Sequence, residues 1–269
     1  MISVKSIVPK VKHALLELSK TEHRYPDVIA QAQKVDWHED FSSGYKGLYY
    51  FLPLSLSPNY KRRVRVFAVD TPMVRRVSST LFQELKAEGI RDVETMLSLC
   101  DTLLEQWSWE YRTIAFDWSF RVRSQFEPRH FPVFHRWAKL YLSTWGSVDD
   151  FCTHTMGYFF FTYPEFTHHV KNWATSENPW IVRAAAVSLI YGLRRGVHLK
   201  YIFDVADAML LDPRKYIQTG YGWMLKEATK HFQAQVFEYV MQRKDEMPRR
   251  ALRYAIEKMP KSLKARAMT

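Results

Sequence analysis

Cysteine is nearly absent from this chain. Cys100 and Cys152 are the only two in 269 residues, so a disulfide framework or a thiolate metal site has nothing to build on, and a reducing compartment is favoured. Glycine is scarce as well. Nine in the whole chain are too few for an architecture of many tight turns, which disfavours disorder and β-rich folds alike. Long apolar runs are also missing, and Lys5, Lys10 and Lys12 interrupt the apolar residues of the N-terminus. Neither a signal peptide nor a membrane span is expected, and the chain reads as a soluble, unprocessed, cytoplasmic protein with no membrane partner.

What is present points to a packed helical protein. Apolar residues make up 47% and aromatics 15%, with nine Trp, enough for one large core or an array of small packed units. Lys and Arg number 39 against 28 Asp and Glu, a net charge of +11. A field of that sign suits a polyanionic partner, although charge alone fits solubility or an anionic surface too.

The clearest organisation is a recurrence. Asn178-Pro179, Asp212-Pro213 and Met247-Pro248 place prolines 34 and 35 positions apart. Proline suits the first helical turn, whose N–H groups have no intrahelical acceptor, and Asn178 and Asp212 are suitable N-caps. Behind each proline the apolar residues fall at matching offsets: Val182, Ala186, Val187 and Ile190; Tyr216, Gly220, Tyr221 and Met224; Ala251, Ala255, Ile256 and Met259. That spacing draws one apolar stripe on each helix. Ala186, Gly220 and Ala255 recur where a neighbouring helix must approach closely. Further helices are expected over 199–211 and 232–241, giving a helix pair of the HEAT repeat length, which buries its stripe only by stacking on its neighbours.

Earlier segments read similarly: Thr71-Pro72 opens a helix towards Leu85, and helices follow over 107–120, 132–142 and 148–161. Residues 1–60 depart from the pattern. An amphipathic helix fits 2–18, whereas 41–60, with Gly44, Gly47, Pro53 and Pro58 among aromatics, resembles a loop folded onto the body. The expectation is an all-α, curved HEAT-like helical-repeat solenoid forming a single domain over 1–269, less regular over 1–60, and monomeric.

Several motifs carry no chemistry. Gly220-Tyr221-Gly222 lacks the strand and the remaining glycines of a dinucleotide fingerprint and reads as small helix-packing positions. His154, His168 and His169 have no ligand framework around them. The two thiols read as buried packing residues. Ser143 to Asp150 is more informative: with Trp145 in the first helical turn, Asp149 lies four residues on and shares its face. An aromatic plane beside a carboxylate can hold a sugar and oppose positive charge, and it is equally an interfacial Trp beside a capping or salt-bridged Asp. Arg183 falls in the second turn of the next repeat helix and Trp223 in the one after, so all can converge on one wall of a solenoid.

With Trp145-x-x-Val148-Asp149, Trp180-x-x-Arg183-Ala184-Ala185 and Gly222-Trp223-x-Leu225-Lys226-Glu227 in order and spacing, the chain resembles the AlkD family of DNA alkylation repair glycosylases. The resemblance runs from about Phe67, with Asp70-Thr71-Pro72 near its start, to Lys258. It implies hydrolysis of the bond between deoxyribose and a cationic N3- or N7-alkylated purine in duplex DNA, without metal or organic cofactor. Carried over by position, Trp145 and Trp223 cradle the deoxyribose, Asp149 is the catalytic carboxylate and Arg183 holds the backbone near the lesion. Gly146 departs from the family, which often has Asp there, and this leaves the capping of that helix open. Candidate phosphate contacts are Lys61, Arg62, Arg63, Arg65, Arg75, Arg76, Arg194, Arg195, Lys226, Arg249 and Arg250, each of which also fits an ordinary solvated face. The alternatives are a non-catalytic binder of distorted or branched DNA on the same scaffold, and a helical scaffold for proteins.

Overall fold

The computed structural model describes residues 4–19, 23–24, 65–67 and 69–269. The expected loop over 41–60, with Lys61, Arg62 and Arg63, lies outside them. The chain divides into two compact units, Met1–Glu127 and Pro128–Thr269.

The first unit contains α1 (Val4–Ser19), a two-residue antiparallel pairing of β1 (His23–Arg24) with β2 (Arg65–Val66), then α2 (Thr71–Ala87), α3 (Val93–Leu104) and α4 (Trp109–Arg121). Its helices start and stop for local reasons. Pro72 occupies the first turn of α2. Gly89, at φ 88°, follows that helix in the left-handed region that glycine adopts without strain. Asp92 caps α3 by accepting the Thr95 N–H at 2.8 Å, and Ser108 caps α4. Ile7, Val11 and Leu15 form the four-residue stripe of α1 and are fully buried. α1 packs on α2 and α3, and Val74, Leu85, Met96, Leu99, Cys100, Ile114 and Trp118 are likewise fully buried in this unit. The Trp118 indole N–H is satisfied by the Ser78 carbonyl at 3.0 Å, as a buried donor requires.

The second unit is a run of helices: α5 (Phe131–Tyr141), α6 (Trp145–Phe151), a π-helical turn over Cys152–Met156, α7 (Gly157–Thr162), α8 (His169–Ala174), α9 (Pro179–Val187), α10 (Ile190–Leu193), α11 (Leu199–Met209), α12 (Lys215–Arg243), α13 (Arg249–Ala255) and α14 (Lys261–Met268). α12 leaves helical geometry at Phe232 (φ −130°, ψ 38°), where the sequence predicts a separate helix to begin. The three proline-marked stripes are buried, apart from the half-buried Tyr216. Gly222 marks a close helix approach: a Cβ there would stand 2.8 Å from Tyr254 Cβ and 3.0 Å from the Ala251 carbonyl. The expected role of Gly220-Tyr221-Gly222 in packing is therefore met, and both thiols are buried.

Two expected helix starts move. Asn178 caps α9 as predicted, accepting the Trp180 N–H at 3.0 Å with Pro179 in the first turn. Asp212 does not cap α12, which begins at Lys215. Its carboxylate instead accepts the Arg214 backbone N–H at 2.9 Å and pairs with the Arg214 guanidinium, so Asp212-Pro213 forms the turn before the helix. Pro248 is likewise the residue before α13 and not its first.

Polar contacts repeat the register of the stack. Arg183 reaches Asp149 across 34 positions, Arg194 reaches Glu227 across 33, and Tyr239 reaches Asp207 across 32. A bond spanning one repeat length joins equivalent places on adjacent helix pairs, which is the nearest-neighbour stacking of a repeat protein. The described fold is an all-α helical-repeat solenoid.

Candidate active site

The site starts from the cap of α6. Thr144, extended at φ −148° and ψ 160°, accepts the Ser147 N–H on its hydroxyl at 3.1 Å, and Ser147 Oγ accepts the Thr144 N–H at 3.1 Å. This reciprocal box satisfies two of the helix's orphan donors and fixes Trp145 as its first residue. Trp145 is 40% exposed. Asp149 follows one turn later on the same face. A Cβ at Gly146 would meet nothing nearer than Thr144 Oγ1 at 4.0 Å. Glycine is not required there, and the capping of the helix falls to Thr144 and Ser147.

Asp149 is not a cap. Its Oδ1 accepts both Arg183 Nε at 3.0 Å and Arg183 Nη2 at 2.7 Å, while Oδ2 takes no hydrogen bond among the described residues. The carboxylate side chain is 23% exposed and that of Arg183 only 5%. The far side of the guanidinium is also spoken for: Nη1 donates to the Tyr216 carbonyl and to Thr219 Oγ1, the latter at 3.3 Å. Gly220 makes this possible, since a Cβ there would lie 3.1 Å from Nη1 and 3.3 Å from Cγ of Arg183. Trp180 stacks on Tyr216 at 4.7 Å between ring centroids. Burial raises the Asp149 pKa above the ordinary Asp value, the adjacent Arg183 opposes that shift, and Asp150 adds to it.

On α12, Thr219 and Trp223 are four residues apart, so the indole sits one turn beyond the residue that holds Arg183. The indole Nε1–H donates to Glu227 Oε1 at 3.1 Å. Glu227, only 6% exposed, also accepts Arg194 Nε at 3.0 Å on Oε2 and Lys258 Nζ at 3.2 Å on Oε1. The Arg194 guanidinium lies 5.8 Å from the Trp223 ring centre. Burial pushes the Glu227 carboxyl up, but the bonds and charge of Arg194 with the bonds from Lys258 and Trp223 outweigh it and hold the pKa at about 2.

The remaining basic candidates differ in setting. Arg75 and Arg76 are exposed on α2, and Arg249 and Arg250 are exposed at the start of α13. Arg195 lies over the Tyr191 ring at 3.6 Å and donates to the Tyr191 carbonyl at 2.8 Å. Lys226 has a side chain 13% exposed and pairs with Glu257 at 3.2 Å. Arg65 is described through its backbone in β2 only. His154 and His168 turn Nδ1 onto the backbone carbonyls of Asp150 and Glu165, at 2.8 and 2.6 Å, and His169 stacks on Phe131 at 4.5 Å. Among the described residues no group of three or more His, Cys, Asp and Glu is placed to hold a metal ion, and no helix is long and apolar enough to cross a membrane.

The structure thus joins Asp149 to Arg183 directly, with Trp145 one turn before Asp149 on α6 and Trp223 one turn beyond Thr219, an α12 residue that Arg183 reaches. Sequence reasoning missed Tyr216, Thr219, Glu227 and Lys258. The repeat length was the available signal for three of them: a step of 34 or 35 forward from Arg183 falls beside Tyr216 and Thr219, and one forward from Arg194 falls beside Glu227, whereas no single step from either arginine reaches Lys258.

A helical-repeat protein with a carboxylate tethered to a buried arginine on the adjacent repeat is the class that fold and site define. The chain belongs to the DNA alkylation repair enzyme family, which it matches over residues 55–259. In structure it is similar to a predicted DNA alkylation repair enzyme from Enterococcus faecalis, with a TM-score of 0.62, 17% sequence identity, and coverage of 76% of this chain and 92% of that one. No functionally curated protein matches its sequence.

Proposed function

We propose that the protein is an alkylpurine DNA glycosylase that hydrolyses the N-glycosidic bond of cationic N3- or N7-alkylated purines in duplex DNA. The observation that carries this reading is the half-bound Asp149 carboxylate: one oxygen is pinned by Arg183, the other is unengaged, and the Trp145 ring stands exposed one turn away.

An alkylated purine is already positive, so when the C1′–N bond breaks its electron pair neutralises the base and no general acid is needed. The barrier is the oxocarbenium-like sugar left behind. A fixed carboxylate opposes that charge without reorganising, which is where electrostatic catalysis gains most. The electron-rich faces of Trp145 and Trp223 add to it. Water then bonds to C1′, and its proton leaves to Asp149 or to solvent. None of these steps requires the base to be buried in a pocket, so specificity rests on the lability of the leaving group and on the grip of the protein on sugar and backbone.

In this reading the protein works as a monomer on duplex DNA in the cytoplasm, with Arg75, Arg76, Arg194, Arg195, Arg249 and Arg250 as phosphate contacts. Arg183, buried and bonded on both sides, serves mainly to aim Asp149. The test is incubation with duplex DNA containing N7-methylguanine and detection of free base by mass spectrometry. Release is expected. Folded protein that binds DNA but frees no base from N3- or N7-alkylated substrates would establish the non-catalytic reading instead.

A further inference from the structure

Glu227 is a buried carboxylate at the meeting point of three repeats. Arg194 comes from the end of α10, Trp223 and Glu227 from α12, and Lys258 from the turn after α13. The donors from the flanking repeats lie 33 and 31 positions away in sequence. In a stack whose neighbours touch through apolar stripes, one carboxylate holding two cations and an indole is more than packing needs. The arrangement also leaves its cations presentable: the side chains of Arg194 and Lys258 are 42% and 50% exposed, against 7% for Glu227. The acid is buried, the two cations are exposed, and the Trp223 ring beside them is half-buried.

We infer that Arg194, Trp223 and Lys258 form a preorganised clamp for one sugar-phosphate unit of DNA, and that Glu227 is its positioning residue. The inference rests on the glycosylase reading only in assigning Trp223 to the sugar at the lesion. The clamp needs a positioning group because Arg and Lys side chains have several rotors each and a half-buried Trp has two. Ordering them at the moment of binding would cost affinity. One shared carboxylate fixes all three beforehand and cancels only one of the two positive charges, so the surface stays attractive to a phosphate. Lys258 thereby joins the DNA-contacting residues, and Lys226, turned to Glu257 and 5.2 Å over the Tyr254 ring, does not belong to this group.

The clamp makes a prediction of opposite signs for Glu227→Gln. If Glu227 were only an acidic residue near DNA, its neutralisation would strengthen binding and leave lesion handling alone. As a positioning residue, its loss leaves Arg194 and Lys258 to bind phosphate loosely. Affinity for undamaged duplex then stays equal or rises, with the salt slope steeper by up to about one. Preference for a duplex carrying a tetrahydrofuran abasic-site analogue over intact duplex falls about tenfold or more, as does single-turnover base release. Trp223→Phe, which keeps a ring but removes the N–H donor, should lower preference and release without changing the salt slope. Lys258→Ala should lower the slope by about one. Melting curves accompany each variant.

Folded Glu227→Gln protein with the abasic preference of the parent overturns the clamp, as does Lys258→Ala with an unchanged slope. Parent protein that prefers abasic duplex yet releases no base overturns the glycosylase reading and leaves the clamp standing.

Discussion

Arg183 and Asp149, 34 residues apart in the chain, meet through two hydrogen bonds on a single carboxylate oxygen, at 3.0 and 2.7 Å. The pair is asymmetric. Arg183 is buried and has given its remaining guanidinium edge to the Tyr216 carbonyl and Thr219, whereas Asp149 keeps one oxygen free of hydrogen bonds among the described residues. An arginine so placed restrains the acid's position and leaves it an oxygen for chemistry.

Asp149→Asn separates the two roles of this pair. Removal of the negative charge should slow base release by about two orders of magnitude or more, the range for loss of one preorganised electrostatic partner. Its effect on stability should be small, because Arg183 loses a counter-charge while the burial cost that raises the Asp149 pKa is removed with the charge and Asn retains an acceptor. DNA affinity should persist. Single-turnover release at saturating enzyme, a melting curve and a binding titration read the three quantities. Normal release by the folded variant would remove Asp149 from the mechanism.

Gly220→Ala and Gly222→Ala should fail differently. The first places a methyl 3.1 Å from the Arg183 guanidinium nitrogen and 3.3 Å from its Cγ, so it displaces the group that aims Asp149, and base release should fall more than stability does. The second drives a methyl into Tyr254 Cβ at 2.8 Å and the Ala251 carbonyl at 3.0 Å. That overpacks the α12–α13 contact and should cost ~1–3 kcal/mol of stability. Melting temperature and release rate measured for both variants show whether the two effects divide in this way.

Trp145→Ala should leave the melting temperature nearly unchanged, because the side chain is 40% exposed and surface substitutions usually fall within ~0.5 kcal/mol. Base release should drop about tenfold, as a cation–π partner worth up to ~2 kcal/mol is lost. A parallel loss of stability and activity would make Trp145 a packing residue.

The acid limb of the rate profile should belong to Asp149. Burial raises its pKa above the ordinary Asp value, and only the ionised form opposes the sugar cation, so release should decline on acidification earlier than an ordinary Asp would dictate. Because this folded-state pKa is raised, ionising Asp149 adds no stability as the pH climbs. Glu227 is the reverse case: held at about 2, it adds stability above the ordinary Glu range and loses it as the pH falls towards 2. It stays charged wherever the enzyme can be assayed. Single-turnover rates for parent and Asp149→Asn, from neutral into acid, should show the limb only in the parent. The same limb in both would assign it elsewhere.

DNA affinity should fall as salt rises and should vary little with base sequence. Arg249→Ala and Arg250→Ala, at exposed sites, should each reduce the slope by about one. Strong sequence preference with little salt dependence would count against phosphate-dominated binding.

The sequence alone determined what depends on near neighbours along the chain. The proline-marked repeat, the buried stripes behind each proline, the cap at Asn178, and the spacing that puts Asp149 one turn after Trp145 all follow from helical geometry over a few residues. The same local rule misjudged Asp212, whose carboxylate had a better partner two residues on in Arg214 than in the first turn of α12. What lay beyond local rules was which charges meet. Asp149 finds Arg183, and Glu227 gathers Arg194 and Lys258, only because stacking brings residues of adjacent repeats to within 3.2 Å, whereas Trp223 reaches Glu227 from four residues away on the same helix. Asp149 and Glu227 each have polar neighbours in sequence with which they could also have paired. Tertiary structure decided among them by burying Arg183 and Glu227, where an unpaired charge is costly and the partner carried by the adjacent repeat becomes the favourable one.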